Sequence, residues 1–120
     1  GFGTTAAKIA AGKMALAPLD IFVRAILCNA LVCLAVWLSF AATDVAGKIL
    51  AIILPVAAFV ALGLEHSIAN MFLLPLGLMA GAEGSAALAA QNIAIATAGN
   101  ILGGAGGVAL AYRFAFKPQV

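Results

Sequence analysis

Glu65 and His66 stand side by side in a chain of 120 residues that is 66% hydrophobic and 8% charged. Sixteen uncharged residues precede the pair, Ile49 to Leu64, and sixteen follow it, Ser67 to Ala82; His66 is the chain's only histidine. An imidazole with an ordinary pKa of about 6.5 can give or take a proton near neutrality. A charged group at the centre of a bilayer costs at least about 2.5–3.5 kcal/mol, so its presence there marks a cavity, a partner or a function. Asn70 lies four residues after His66, on the same helical face, where it could orient the ring. Phe59 lies seven residues before it, close to two turns, where an aromatic beside the histidine would make a narrow apolar gate. Glu65 points about 100° away from His66 on a helix of 3.6 residues per turn. It could turn into the scaffold and accept backbone N–H groups.

Other chemistries fit less well. One His and one Glu with no further ligand nearby do not make a metal centre. Ser67 next to His66 has neither the spacing nor the elbow of an activated nucleophile. Cys28 and Cys33 are five apart in an apolar run, on different sides of a helix, and read as reduced thiols. No cofactor and no enzyme activity are expected. A polar residue merely tying a broken helix together is the plainer use of His66. Beside a break in mid-membrane, a pore site outweighs it.

The elements that must position the pair follow from composition. A soluble domain carries about a quarter charged residues, so a chain this apolar belongs in lipid. The net charge of +2 is scattered, with no basic run to suggest nucleic acid. Residues 1–19 read as a small, Gly/Ala-rich connecting segment without a signal peptide's core, and the Gly1 start suggests a piece of a longer protein. Pro18 and Asp20 mark a helix start, and Arg24, four residues on, suits an ion pair with Asp20. The first span is expected over 20–42, with Asn29 inside it requiring a protein partner or a pore, and Trp37 and Phe40 at the far interface.

Ile49 to Ala82 is thirty-four residues long. As one helix it would measure about 50 Å against a hydrocarbon core of about 30 Å, yet it is too short for two spans and a turn. The economical solution is one discontinuous span over 46–80, broken near 63–67, with Gly63 supplying flexible backbone and Ser67 an N-cap. Broken helices near the midplane are how many transporters build their sites. A third span fits 90–113, and 114–120 forms a tail. Gly99, Gly103, Gly107 and Ala111 recur every four residues and make a ladder for close helix packing, while Asn92 and Asn100 should face protein. Lys8, Lys13 and Arg24 on one side balance Lys48, Arg113 and Lys117 on the other, so charge does not orient the chain.

"FVRAILCNALVCLAVWLSFA" (22–41), "ILPVAAFVALGLEHSIANMFLLPLGL" (53–78) and "AGNILGG" (98–104), in that order, resemble the formate/nitrite transporter family over about 8–115. The resemblance implies an all-α membrane protein with three transmembrane spans, the middle one broken, forming half of an aquaporin-like inverted-repeat fold. It matches the second repeat, spans four to six; the first, N-terminal repeat is missing, and the complete protein would be a homopentamer in the inner cell membrane. It also implies roles: His66 at the pore centre, Phe59 at a constriction outside it, Asn29 and Val32 lining the fourth span, Asn70 and Glu65 in the polar network around the histidine, and Lys13 in the vestibule. The implied function is transport of small monovalent anions, formate first and nitrite or hydrosulfide with it, linked to protons through His66. Leu64 stands where some members carry Phe. The alternative is a membrane packing or assembly module that does not transport.

Overall fold

The computed structural model describes residues 1–117; the last residues of the expected 114–120 tail lie outside the described part. All regular structure among the described residues is helical. α1 spans Phe2–Met14, α2 Pro18–Ser39, α3 Val45–Ala61, α4 Ser67–Met79 and α5 Ala86–Ile101. A π-helical stretch, Leu102–Ala109, continues α5 without a break into α6, Leu110–Ala115.

Local sequence accounts for the boundaries. Pro18 occupies the first turn of α2, where its missing N–H would be unpaired in any case, and Asp20 sits at the positive end of the dipole. The Asp44 side chain caps α3 through the Gly47 N–H at 2.8 Å, and Ser85 caps α5 through the Leu88 N–H at 3.2 Å. α3 stops at Gly63, which adopts φ +61, a left-handed conformation that glycine enters without a Cβ penalty. At 22 residues α2 is about 33 Å long, enough to cross the hydrocarbon core. The continuous run Ala86–Ala115, of 30 residues, is also long and apolar enough. α3 and α4 each fall short of a crossing, with Leu62–His66 joining them.

The first nineteen residues are not merely a connecting segment. Residues 2–14 form α1, which lies against α4, and its Ala6, Ala10 and Met14 are buried. Small residues permit the approach: a Cβ on Gly77 would collide with Ala10. Ala10, Met14, Leu74 and Ala89 form one core; Ile21, Ala25 and Ala96 form the other, where α2 meets α5. The whole is a slab of 56 × 31 × 17 Å. Most of its large apolar side chains therefore face outward, Leu54, Val60, Ile68 and Phe72 among them.

The glycine ladder is used unevenly. Gly99 lies against Ala25 and the Phe22 carbonyl, and Gly103 against the Ile26 backbone. Gly107 meets nothing within 4 Å; instead Gly104, off the four-residue register, packs on Asn29 and Cys33. The widening of the helix at Leu102 shifts the face that the later rungs present. At the far end Trp37 of α2 meets Tyr112 of α6 edge to face, with centroids 6.1 Å apart.

Candidate functional site: the α3–α4 break

Four residues after the end of α3 the chain reaches Glu65 and then His66, which directly precedes α4 in extended backbone at φ −109 and ψ 120. The two side chains part company here. Glu65 turns inward and is 1% exposed. Its Oε1 accepts from the Lys13 ammonium at 2.8 Å. Its Oε2 accepts from the Asn70 amide, and the Asn92 amide lies 3.5 Å from the same oxygen. Asn70 Nδ2 also donates to Asn92 Oδ1 at 2.8 Å, and Asn92 Nδ2 to the Lys13 carbonyl at 3.2 Å. α1, α4, α5 and the break are thereby tied through one buried polar cluster, in which the carboxylate and the ammonium cancel.

This geometry departs from three expectations. Glu65 accepts side-chain donors rather than backbone N–H groups. Asn70 is committed to Glu65 and Asn92 rather than orienting the imidazole: an acceptor-only carboxylate draws its NH₂ end, and Oδ1 is left buried with no hydrogen-bond partner among the described residues. Lys13 is not a free vestibule cation, because its nitrogen is held by Glu65.

The His66 ring stays half-buried and lies against Phe59, with centroids 5.9 Å apart and planes 29° from parallel. The seven-residue spacing thus brings the two rings together even though α3 ends between them, because the chain leaves α3 and re-enters α4 within five residues. Val32 is half-buried on α2, three residues after Asn29.

The break itself is held by residues whose roles spacing did not reveal. Asn100, on α5, accepts the Ser67 N–H on Oδ1 at 2.8 Å and donates through Nδ2 to the Glu65 carbonyl at 3.0 Å and the Ala25 carbonyl at 2.8 Å. Ser67 is therefore the first residue of α4 and not its cap; Asn100 caps the helix from another element. Asn29 donates to the Asn100 carbonyl at 2.6 Å, which supplies the partner that a polar side chain in an apolar helix demands. Arg24 makes no ion pair with Asp20: its Nη1 reaches the Gly63 carbonyl at 3.2 Å, where α3 leaves carbonyls unpaired. The signal for all of this was the presence of Asn29, Asn70, Asn92 and Asn100 in otherwise apolar helices. It announces partners without naming them.

Comparison with known proteins fits this geometry. The family model for the formate/nitrite transporter matches residues 1–114. The chain is 47% identical over 111 residues to the uncharacterized transporter YrhG of Bacillus subtilis, covering 92% of this chain and 41% of that protein. It is 46% identical over 116 residues to a probable formate transporter of Methanothermobacter thermautotrophicus, covering 95% of this chain and 42% of that protein. The chain thus spans about two fifths of the length of these curated relatives. Among solved structures it superimposes on an FNT family ion channel with a TM-score of 0.87 at 34% identity, over 93% of this chain and 45% of that one. It matches a pentameric formate channel with formate bound with a TM-score of 0.81 at 35% identity, over 94% of this chain and 52% of that one. An all-helical membrane fold, a match along nearly the whole chain and identities of this size leave one conclusion: the chain belongs to the formate/nitrite transporter family.

Proposed function

We propose that this chain supplies one half of a pore for small monovalent anions, with formate as the first substrate and nitrite and hydrosulfide as chemically similar ones. A complementary N-terminal repeat supplies the other half, and five such protomers form a ring in the inner cell membrane. The observation that carries this reading is the pairing of His66 with Phe59, rings 5.9 Å apart at a helix break. His66 has no side-chain hydrogen bond among the described residues, since Glu65 is engaged with Lys13. Similarity to a probable formate transporter and to a pentameric formate channel with formate bound supports the choice of substrate.

The mechanism rests on the cost of moving a bare anion through an apolar constriction, which is prohibitive without compensation. The N-terminus of α4 opens at His66 and offers the positive end of its dipole. The imidazolium lends its proton to the anion beside Phe59 and takes up another from the side the anion entered, so that a neutral weak acid crosses the constriction and releases the proton beyond it. Lys13, neutralised by Glu65, braces the break and leaves that role to His66.

The test is formate uptake into liposomes carrying the intact transporter, measured across pH. His66→Phe keeps an aromatic of similar size and removes the proton donor. It is expected to abolish the pH dependence and to lower proton-coupled flux by at least about a hundredfold, the low end of the range for losing a general acid. Unchanged pH dependence would overturn the proton-donor role.

A further inference from the structure

We propose that Asn100 is the positioning residue for His66, and that Asn29 acts through Asn100 rather than on the anion. The inference rests on His66 as the pore-centre residue and adds what aims it. Two peptide planes flank the His66 Cα. The carbonyl of one, on Glu65, accepts from Asn100 Nδ2 at 3.0 Å; the N–H of the other, on Ser67, donates to Asn100 Oδ1 at 2.8 Å. A single planar amide therefore holds both planes, which fixes φ and ψ of His66 and with them the direction of its Cα–Cβ bond. No other side chain among the described residues bonds either of these two backbone groups.

The clamp is anchored on both of its own sides. Asn100 Nδ2 also donates to the Ala25 carbonyl at 2.8 Å, and the Asn100 carbonyl accepts from Asn29 Nδ2 at 2.6 Å. Ala25 and Asn29 lie four residues apart on α2, so one helix holds both the side chain and the backbone of the clamp. Asn100 is 6% exposed. Its neighbours are the glycines that admit α2: Gly99 against Ala25, Gly103 against Ile26 and Gly104 against Asn29. The charged groups around the break are spoken for differently. Glu65 pairs with Lys13, and Arg24 bonds the Gly63 carbonyl. None of them holds the imidazole, which lies against the Phe59 ring. Ring direction is accordingly set by the backbone, and the backbone by Asn100. A reacting group displaced by about 1 Å can lose about a hundredfold in rate, so loosening this clamp has a functional effect without touching the imidazole.

Asn100→Asp tests this in the intact transporter. It keeps size and the acceptor toward the Ser67 N–H, but sets an oxygen against the Glu65 and Ala25 carbonyls. Expected is a loss approaching about a hundredfold in formate flux, the scale of a misplaced reacting group, together with a displaced pH profile and unchanged assembly by size-exclusion chromatography. Asn29→Ala removes only the outer bond and leaves the Asn100 amide in place. It is expected to shift the profile in the same direction with a loss of about threefold, the scale of one hydrogen bond; this variant decides the matter if Asn100→Asp fails to assemble. Wild-type flux and pH profile in Asn29→Ala and in an assembled Asn100→Asp, with His66→Phe still abolishing pH dependence, would overturn the clamp and leave the pore reading standing. If His66→Phe also leaves the profile unchanged, both fall.

Discussion

Lys13 and Glu65 illustrate how two charges can hold a helix break together with little of either exposed to solvent. The carboxylate is 1% exposed and the ammonium side chain 15%, and they meet at 2.8 Å. Burying an ion pair gains little net stability over an apolar substitute, but removing one partner leaves an uncompensated charge at a cost of about 3–5 kcal/mol. Lys13→Met should therefore lower the thermal midpoint in detergent sharply. Lys13→Met with Glu65→Gln should recover at least about half of the loss, because a neutral amide can still accept from Asn70 and Asn92. A double variant no more stable than Lys13→Met alone would show that the ammonium acts by packing and not by charge. Proximity in sequence made Glu65 and His66 look like a pair. The structure divides them because adjacent residues point apart, and the lysine that claims the carboxylate is fifty-two residues away. That long-range partner is what sequence could not supply. The stacking of Phe59 on His66 was legible, since it depends on local spacing across a short break.

At the scale of helices, run length was the informative quantity. A thirty-four-residue run interrupted only by Glu65 and His66 is too long for one straight crossing, and the structure divides it into α3 and α4 with residues 62–66 between them. Gly63 was readable as the weak point, and its φ of +61 gives a measurable consequence. Gly63→Ala must place a Cβ in left-handed backbone at about 1–2 kcal/mol, seen as a lower melting temperature with reduced flux. The glycine ladder was readable as a pattern but not rung by rung, because a π-helical stretch changes the register at Leu102 and no periodicity announces it. The rungs therefore separate by experiment. Gly103→Ala drives a methyl into the Ile26 backbone and should cost about 1–3 kcal/mol. Gly107→Ala meets open space and should be neutral or stabilising by up to about 1 kcal/mol, as expected for Gly to Ala within a helix. Equal losses at both positions would mean that Gly107 packs against another chain. α1 escaped notice for a related reason: its buried face, Ala6, Ala10 and Met14, consists mostly of small residues that do not stand out from the alanines around them, and it packs on the small surface around Gly77.

The whole molecule is a slab only 17 Å thick in which α3 buries no residue. α3 lies along α2, and Leu50, Ile53, Leu54 and Val60 are largely exposed. Lipid can cover such a face, but lipid does not line an anion path, and the half-buried Phe59 and His66 rings lie at the end of this same helix. A pore needs walls on all sides; among the described residues α1, α2, α4 and α5 hydrogen-bond around the break. Two readings make opposite predictions for liposomes. If the chain is half of a pore, vesicles carrying it alone should show no formate uptake above background, and uptake should appear when a complementary first repeat is co-reconstituted, with the pH dependence that His66 confers. If the chain is a packing module, the complementary repeat should restore no flux, or should carry the same flux when this chain bears His66→Phe. Flux from the chain alone would defeat both, and would mean that copies of this half close a pore among themselves. The deciding arm is the His66→Phe chain reconstituted with its complement, because it separates a histidine that faces the anion from one that only ties α3 to α4.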